Sequence, residues 1–255
     1  MSGEAKKTIA YVHGLESFGL VDGPGVRYIV FLQGCHMRCQ YCHNPETWRL
    51  KGGKEMSADE IMEKALRYKP YWRNNGGITV SGGEPLLQID FLIEFFRLAH
   101  EKGIHTTLDT SGNPFDSSNP EFMAKFEELM KYTDLIMLDL KEIDPEKHKI
   151  LCAQPNENIF EMARWLSDHG KLMWIRHVLV PDLTDDEEGL RQLDEFIRSL
   201  NGVRRVEILP YHTLGVSKWH DLGIKYPLED AVAPTPEQTK KAEDILHILD
   251  YPDHA

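Results

Sequence analysis

The chain is 255 residues long, 41% hydrophobic and 27% charged, with a formal net charge of −12 at pH 7. That length suits one α/β domain able to bury most of its apolar surface, and the acidic balance argues against the broad basic face that a nucleic-acid partner requires. Residues 1–14 carry no continuous apolar run, no stretch is long enough to cross a bilayer, and the four cysteines make no disulfide framework; these features predict a cytoplasmic protein in a reducing compartment, with no membrane attachment.

In chain order, short runs rich in β-branched and apolar residues alternate with segments of helical period, the pattern of βα units around a parallel sheet. The turn-dense loop Val21-Asp-Gly-Pro-Gly-Val-Arg27 comes first. Its Gly-Pro-Gly core fixes the backbone, and Asp22 and Arg27 carry opposite charges that can pair across the turn. A strand over 28–33 then runs into Gly-Cys-His-Met-Arg-Cys-Gln-Tyr-Cys-His-Asn, with thiols at Cys35, Cys39 and Cys42. Three thiolates so close need a shared electrophile, and an iron–sulfur cluster is the leading reading. A cubane is normally held by four cysteine thiolates, and the remaining cysteine, Cys152, is remote with no second ligand beside it. One iron is therefore left open, able to bind a substrate and pass an electron into it. The alternative is structural zinc on the cysteines plus His36 or His43, although such sites usually bring ligand pairs from separate loops.

Ser57-Ala-Asp-Glu60 reads as a capping box ahead of a helix that buries Ile61, Met62, Ala65 and Leu66. A strand over 77–81 leads to Gly82-Gly83-Glu84, which is either an ordinary turn or a cradle where backbone approaches a ligand's polar group, with Glu84 as acceptor. Phe91, Leu92, Phe95, Phe96 and Leu98 mark a helix face packed on the sheet. Strands over 105–109 and 134–139 end in Asp109 and Asp139, charges that need a nearby cation: Lys141, or a bound metal ion held by oxygens. Asn119-Pro120 and Thr235-Pro236 start helices, and Gly103 and Gly170 stop them. Cys152 reads as a packed thiol without a ligand role. Arg176 interrupts the apolar strand over 172–180 and points either into a polar interior or onto a solvated face. After the last strand, over 203–209, His212 either contacts a cofactor or caps the strand end.

The cysteine triad, Ser81-Gly-Gly-Glu84, Asp109-Thr-Ser-Gly112, Asp139-Leu-Lys141 and Tyr211-His212 all follow strand C-termini. Contributions from at least five strands favour a curved, barrel-like sheet over an open sheet with one switch point, and six strands leave a lateral opening.

The Cys-x3-Cys-x2-Cys motif with Tyr41 before its last cysteine, the Gly-Gly-Glu turn and the Asp-Gly-Pro-Gly-Val-Arg loop together resemble the radical S-adenosylmethionine activases of glycyl radical enzymes. The resemblance runs through nearly the whole chain, including Leu-Asp-Thr-Ser-Gly, Met-Leu-Asp-Leu-Lys, Trp-Ile-Arg and Leu-Pro-Tyr-His-Thr-Leu-Gly. The chain has no inserted ferredoxin-like segment with further cysteines, which fits the short, single-cluster type. It departs from its relatives at Leu151-Cys-Ala-Gln-Pro-Asn156.

The resemblance implies one α/β radical S-adenosylmethionine domain over 1–255, a partial (β/α)6 TIM-like barrel, with a cluster loop at 34–44 and a substrate-facing loop at 16–27. It implies a 4Fe–4S cluster on Cys35, Cys39 and Cys42, its fourth iron chelated by the amino and carboxylate groups of S-adenosylmethionine. Tyr41, Cys42, His43, Gly82, Gly83, Glu84, Asp139, Leu140, Lys141, Arg176 and His212 fall at cofactor-binding positions. Asp109, Thr110, Met137 and Asp139 fall at a monovalent-cation site for Na+ or K+, and Asp22 and Arg176 near the partner's bound peptide. The implied reaction cleaves S-adenosylmethionine to methionine and a 5′-deoxyadenosyl radical, which takes a hydrogen atom from a glycine Cα of pyruvate formate-lyase and leaves as 5′-deoxyadenosine. No side chain acts as acid or base; the protein's work is positioning. The electron comes from flavodoxin or ferredoxin, with Arg38 as a candidate docking contact, and the chain is expected to be a monomer. Two other readings remain: an activase of a different glycyl radical enzyme, and a zinc-stapled binding module without catalysis.

Overall fold

A computed structural model describes residues 8–73 and 75–254. All six parallel strands read from the sequence are present, and the chain divides into two compact units. One comprises the chain up to Cys35 with Arg49–Asp109 and Asp116–Asp134; the other comprises His36–Trp48, Thr110–Phe115 and the chain from Leu135 onward.

The first unit holds strands β1 (Ile9–Gly19), β2 (Arg27–Leu32), β3 (Lys54–Ser57), β4 (Gly77–Gly82) and β5 (His105–Thr110), in the order β3-β1-β2-β4-β5. Strand β4 runs parallel to both β2 and β5, whereas β1 pairs antiparallel with β2 and β3. β1 and β3 are additions to the six-strand expectation. Two glycines and register shifts between Val12 and Gly14 and between Glu16 and Gly19 break the alternation by which β1 would be read as a strand. The loop expected over 16–27 therefore starts at Leu20. Helices α1 (Ala58–Leu66), α2 (Lys69–Trp72), α3 (Ile89–Glu101) and α4 (Pro120–Met130) complete this unit. The capping box is present: Ser57 Oγ accepts from Glu60 N–H, and the Glu60 carboxylate accepts from Ser57 N–H. Phe91, Leu92, Phe95 and Phe96 are buried as expected, with Leu98 only half-buried at their margin.

The second unit holds parallel strands β6 (Leu135–Asp139), β7 (Met173–Leu179) and β8 (Val203–Pro210). Its helices are α5 (Pro145–Cys152), α6 (Glu157–Asp168), α7 (Glu187–Arg198), α8 (Val216–Asp221) and α9 (Pro236–Ile245). Thr235 and Gln238 form a second capping box at the start of α9. Gly103 and Gly170 end α3 and α6 with φ of +61° and +65°. The outcome is an α/β fold with an open, mostly parallel sheet. No helix among the described residues is long and apolar enough to cross a membrane.

Arg27 resolves the loop it closes. Its side chain is fully buried, donating from Nε to Thr79 Oγ1 (3.0 Å), from Nη2 to Thr107 Oγ1 (2.9 Å) and to the Ile78 carbonyl, and from Nη1 to the Pro24 carbonyl (3.3 Å). Thr79 Oγ1 in turn donates to the Asp22 carbonyl at 2.6 Å. The guanidinium thus pins the Asp-Gly-Pro-Gly loop through hydroxyls and carbonyls. Burial lowers its pKa to about 9, against the pull of Asp134 and Asp22.

Arg27 Nη1 also lies 3.3 Å from His105 Nδ1, which must accept and therefore carry no proton. Burial first, then Arg27, lowers the His105 pKa, and burial likewise lowers that of His148 on α5. For a base whose folded pKa lies below its unfolded value, the stabilising contribution is complete above the unfolded value and is lost as pH falls below it. The urea midpoint is therefore expected to drop between pH 7 and pH 5.5, and a His105→Gln/His148→Gln variant is expected to flatten that drop. An unchanged slope in the variant counts against both assignments.

Candidate functional site

In the first unit, parallel pairing of β2 with β4 sets Leu32 beside Gly82. The chain after β4 hydrogen-bonds to the chain entering the cysteine loop: Gly83 N–H to Leu32 O at 2.9 Å and Glu84 N–H to Gly34 O at 2.7 Å. This approach requires glycine. Gly82 has φ +125°, and a Cβ there would stand 2.3 Å from Leu32 N; a Cβ on Gly83 would stand 2.2 Å from Gly34 O and 3.2 Å from Cys35 Cβ. Gly-Gly is thus a close-packing device that fixes Cys35, not an ordinary turn. The Glu84 carboxylate is buried and accepts from Leu86 N–H at 3.0 Å, capping the short turn that follows. Asp109 Oδ2 accepts from Ser81 Oγ at 2.6 Å, and Asp22 sits half-buried in its pinned loop.

In the second unit, the loop carrying Cys39 and Cys42 is braced from two directions. The last carbonyls of a helix have no partner within it, and those of α5 are taken by this loop: Arg38 N–H donates to Cys152 O (2.8 Å), Gln40 N–H to Leu151 O (2.9 Å) and Gln40 Nε2 to Ile150 O (2.9 Å). Around α8, Trp219 Nε1 donates to Cys42 O at 2.8 Å, and Lys218 Nζ reaches Asn44 Oδ1 at 2.7 Å and Glu46 at 2.9 Å. Trp219 also meets the Trp48 ring edge-on at 4.9 Å, and the exposed Arg38 guanidinium lies 4.8 Å above Trp48. Cys152 is fully buried and its thiol hydrogen-bonds that of Cys39, which lowers the Cys39 pKa to about 7 against the effect of burial. Burial, with Cys39 beside it, pushes Cys42 up to about 11.

Residues 135, 137 and 139 face one side of β6 by strand alternation. There Met137 packs with Leu135 and Trp174 in the core, and Asp139 stands in register with Arg176 on β7. The question left open by the apolar run is thereby answered: Arg176 turns to the Asp139 side, with Nη2 2.8 Å and Nε 2.9 Å from Oδ1. Lys141 Nζ meets Oδ2 of the same carboxylate at 2.9 Å. Burial pushes the Asp139 pKa up, but Arg176 and then Lys141 outweigh it and hold the group ionised. Burial likewise opposes the Lys141 charge, yet Asp139, Tyr41 and Cys39 keep its pKa well above the ordinary lysine value. Lys141 lies 5.8 Å from the centre of the Tyr41 ring, whose buried hydroxyl has no hydrogen-bond partner among the described residues. The Leu140 side chain is in the core; its N–H donates to Arg176 O (3.0 Å) and its carbonyl faces His177 Nδ1 (2.9 Å). Thr110 Oγ1 accepts from Gly112 N–H at 2.9 Å. The His43 and His212 rings meet at a 36° tilt with centroids 4.1 Å apart, and burial, then His212, lowers the His43 pKa.

The chain matches the Radical SAM superfamily over residues 29–193. A pyruvate formate-lyase-activating enzyme of Streptococcus mutans is 53% identical over 251 residues, which cover 98% of this chain and 95% of that protein. The enzyme of that name from Listeria monocytogenes is 51% identical over 96% of this chain and 99% of its own length. The chain belongs to the radical SAM superfamily, in the family of pyruvate formate-lyase-activating enzymes. Among solved structures, a domain of a pyruvate formate-lyase-activating enzyme from Bacteroides vulgatus aligns with TM-score 0.54 and 28% identity, covering 68% of this chain and 93% of that one. Streptococcus suis SuiB bound to precursor peptide SuiA shares the fold at TM-score 0.63 and 19% identity, over 92% of this chain and 48% of its own.

Membership in the radical SAM superfamily implies a 4Fe–4S cluster and S-adenosylmethionine. The residues fit that pair. Cys39 is already poised toward thiolate, metal binding replaces the proton of a ligating thiol such as Cys42, and the orphaned Tyr41 hydroxyl is a donor awaiting an acceptor. Among the described residues no three of His, Cys, Asp or Glu converge as a single metal ion would require. A cubane needs no such convergence, because each thiolate binds a different iron.

Trp219, Trp48 and the α5 carbonyls were not readable as site-supporting residues. Backbone carbonyls leave no trace in a sequence, and a tryptophan reads as core. The pair Asp139–Lys141 was readable from strand-end placement, its third member only after the register of β6 and β7 was known. Asp139→Asn leaves Lys141 and Arg176 buried without their counter-ion, and a loss of about 3–5 kcal/mol is expected. Urea unfolding of the apoprotein checks this, and a loss below about 1 kcal/mol means water already screens the triad.

Proposed function

We propose that this chain generates the glycyl radical of pyruvate formate-lyase. The observation that carries the reading is the near full-length identity of 53% and 51% to enzymes of that name, with the cysteine triad in place. Cys35, Cys39 and Cys42 hold the cluster. Gly82 and Gly83 keep the backbone beside Cys35 open to the amino group of S-adenosylmethionine, with Glu84 fixing the turn. Tyr41, His43, Asp139, Leu140, Lys141, Arg176 and His212 line the cofactor, Lys141 supplying a fixed positive charge and His43 a neutral ring. When bound, the pair supplies one-electron cleavage of the sulfonium and removal of a hydrogen atom from a glycine Cα. One electron enters, and methionine, 5′-deoxyadenosine and the radical partner leave.

Asp22, held rigid through Thr79 and Arg27, and Arg176 meet the partner's glycine-bearing segment. Reduced flavodoxin or ferredoxin delivers the electron, and Arg38, exposed and stacked on Trp48, is its docking contact. A monovalent cation at Asp109, Thr110, Met137 and Asp139 shares the Asp139 carboxylate with Lys141 and Arg176. Both units serve one catalytic domain, acting as a cytoplasmic monomer.

Electron paramagnetic resonance tests the reaction: the anaerobically reconstituted, reduced protein is mixed with S-adenosylmethionine and pyruvate formate-lyase. A glycyl radical doublet that requires the cofactor is expected, and Cys39→Ala is expected to abolish both the doublet and the reduced-cluster signal. A normal cluster signal without the doublet redirects the function to another glycyl radical partner. Exchanging K+ and Na+ for a bulky organic cation is expected to slow the reaction several-fold, and no change counts against the cation site.

A further inference from the structure

Beyond Arg176, the sheet face that carries Asp139 continues onto β8 and ends there in an acid. Glu207 stands in register with Arg176, as Arg205 does with Trp174. Their side chains therefore project from the same face, about 4.8 Å to the side of their β7 partners. An ion pair at the border of a sheet is ordinarily loose and worth little. This one is anchored. Arg205 Nη2 lies 2.6 Å from Glu207 Oε1, its guanidinium sits 4.9 Å above the Trp174 ring, and its Nη1 donates to Asp253 O at 3.4 Å. Asp253 is fixed in its turn: its N–H donates to Arg204 O (2.9 Å), and its carboxylate takes Trp174 Nε1 (3.1 Å) and Arg204 Nη2 (2.6 Å). The Glu207 carboxylate is thus held in one place, with Arg205 its only bonded partner among the described residues. With 17% of its side chain exposed, it keeps acceptor capacity toward solvent. β8 is the last strand in the sheet order among the described residues, so an extended segment can reach this acceptor from the open side.

We propose that Glu207 is a substrate-binding residue: its carboxylate accepts the main-chain N–H of the partner's reacting glycine, beside Arg176. The proposal rests on the reading of this chain as the generator of a glycyl radical and deepens it. A glycine offers no side chain to grip, so what fixes that residue must hold its N–H and C=O or those of its neighbours. Transfer of a hydrogen atom depends on that fixing, because the reacting Cα lies between the two groups. An acceptor for the N–H must be immobile, must lie on the face that carries Arg176 and must keep a lone pair for the peptide. Glu207 meets all three conditions. Arg205, and not the bound peptide, carries the compensating charge, so the carboxylate can take an uncharged amide without being left unpaired.

The test is isothermal titration calorimetry on the anaerobically reconstituted holoprotein with S-adenosylmethionine and no reductant, using two synthetic peptides that span the target glycine of pyruvate formate-lyase. One is the natural amide; in the other an ester oxygen replaces the glycine N–H. Wild type is expected to bind the amide about tenfold or more tightly than the ester, as befits a hydrogen bond to a charged group. Glu207→Leu is expected to bind both peptides only as tightly as wild type binds the ester. Glu207→Gln keeps a neutral acceptor and is expected to recover part of the difference. A merely structural role weakens both peptides alike, so an amide-to-ester ratio that survives in Glu207→Leu overturns the proposal. Equal binding of the two peptides by wild type overturns it without any variant, which keeps the test decisive if Glu207→Leu fails to fold. Absence of a radical on pyruvate formate-lyase in the resonance experiment overturns the functional reading and the proposal with it, whereas a radical together with equal binding of the two peptides overturns the proposal alone.

Discussion

The second unit is organised around one buried carboxylate. Asp139 ends β6 where the strand leaves the core, and an uncompensated charge there would cost several kcal/mol. Parallel pairing places Arg176 of β7 directly across from it, and the chain turns back after Leu140 so that Lys141 reaches the other oxygen. Each cation is held by the carboxylate that needs it. The position of Lys141 then has its own consequences, because the same ammonium lies over Tyr41 and close enough to Cys39 to favour its thiolate. A triad of this kind contributes little net stability over an apolar packing of equal volume. Its effect is to fix where a positive charge stands, which an apolar core cannot do.

The first unit solves a related problem with different means. Arg27 is as deeply buried as any described side chain, and it is held by hydroxyls, carbonyls and the His105 ring. Such a cation has no single partner whose movement could release it; it satisfies several strands at once and locks the loop that carries Asp22. At the C-terminal end of β4, beside β2, the steric requirement falls on glycine, where any side chain would collide with the backbone leading to Cys35. Rigid backbone around Cys35 suits the proposed role of that cysteine as a cluster ligand, since a reaction without acid or base groups depends on holding reactants in place.

How much of this was legible follows from what each feature leaves in a sequence. The six parallel strands were visible as apolar runs, and the chemistry at their C-termini as polar residues interrupting them. β1 was not visible, because bulges and glycines erase its alternation, nor was β3, only four residues long. Gly82-Gly83 was readable as glycine but not as necessity, since a turn and a close approach share the same letters. Arg176 could not be oriented without the register, and Arg27 seemed a natural mate for Asp22 because burial is invisible to local spacing. The bracing of the cysteine loop was the least legible of all. It depends on carbonyl groups of α5 and on Trp219, joined to the loop across more than a hundred residues of chain.

That bracing also explains why the loop can be both irregular and fixed. Residues 36–48 contain one short 3-10 turn and otherwise no regular structure, so their backbone groups have few partners of their own. A helix C-terminus has the complementary deficit, carbonyls without donors. Joining the two satisfies both, and it does so at defined positions: α5 takes the N–H groups on either side of Cys39, while Trp219 holds the carbonyl of Cys42. Cys39 and Cys42 are thus located by helices that belong to the packed core of the second unit, not by the loop's own preferences. A loop built this way has one register, because sliding by a single residue would leave both the helix carbonyls and the loop N–H groups unpaired, at about 1–3 kcal/mol for each buried group. The two cysteines are held in place by the rest of the unit, so the loop need not fold around a ligand to position them.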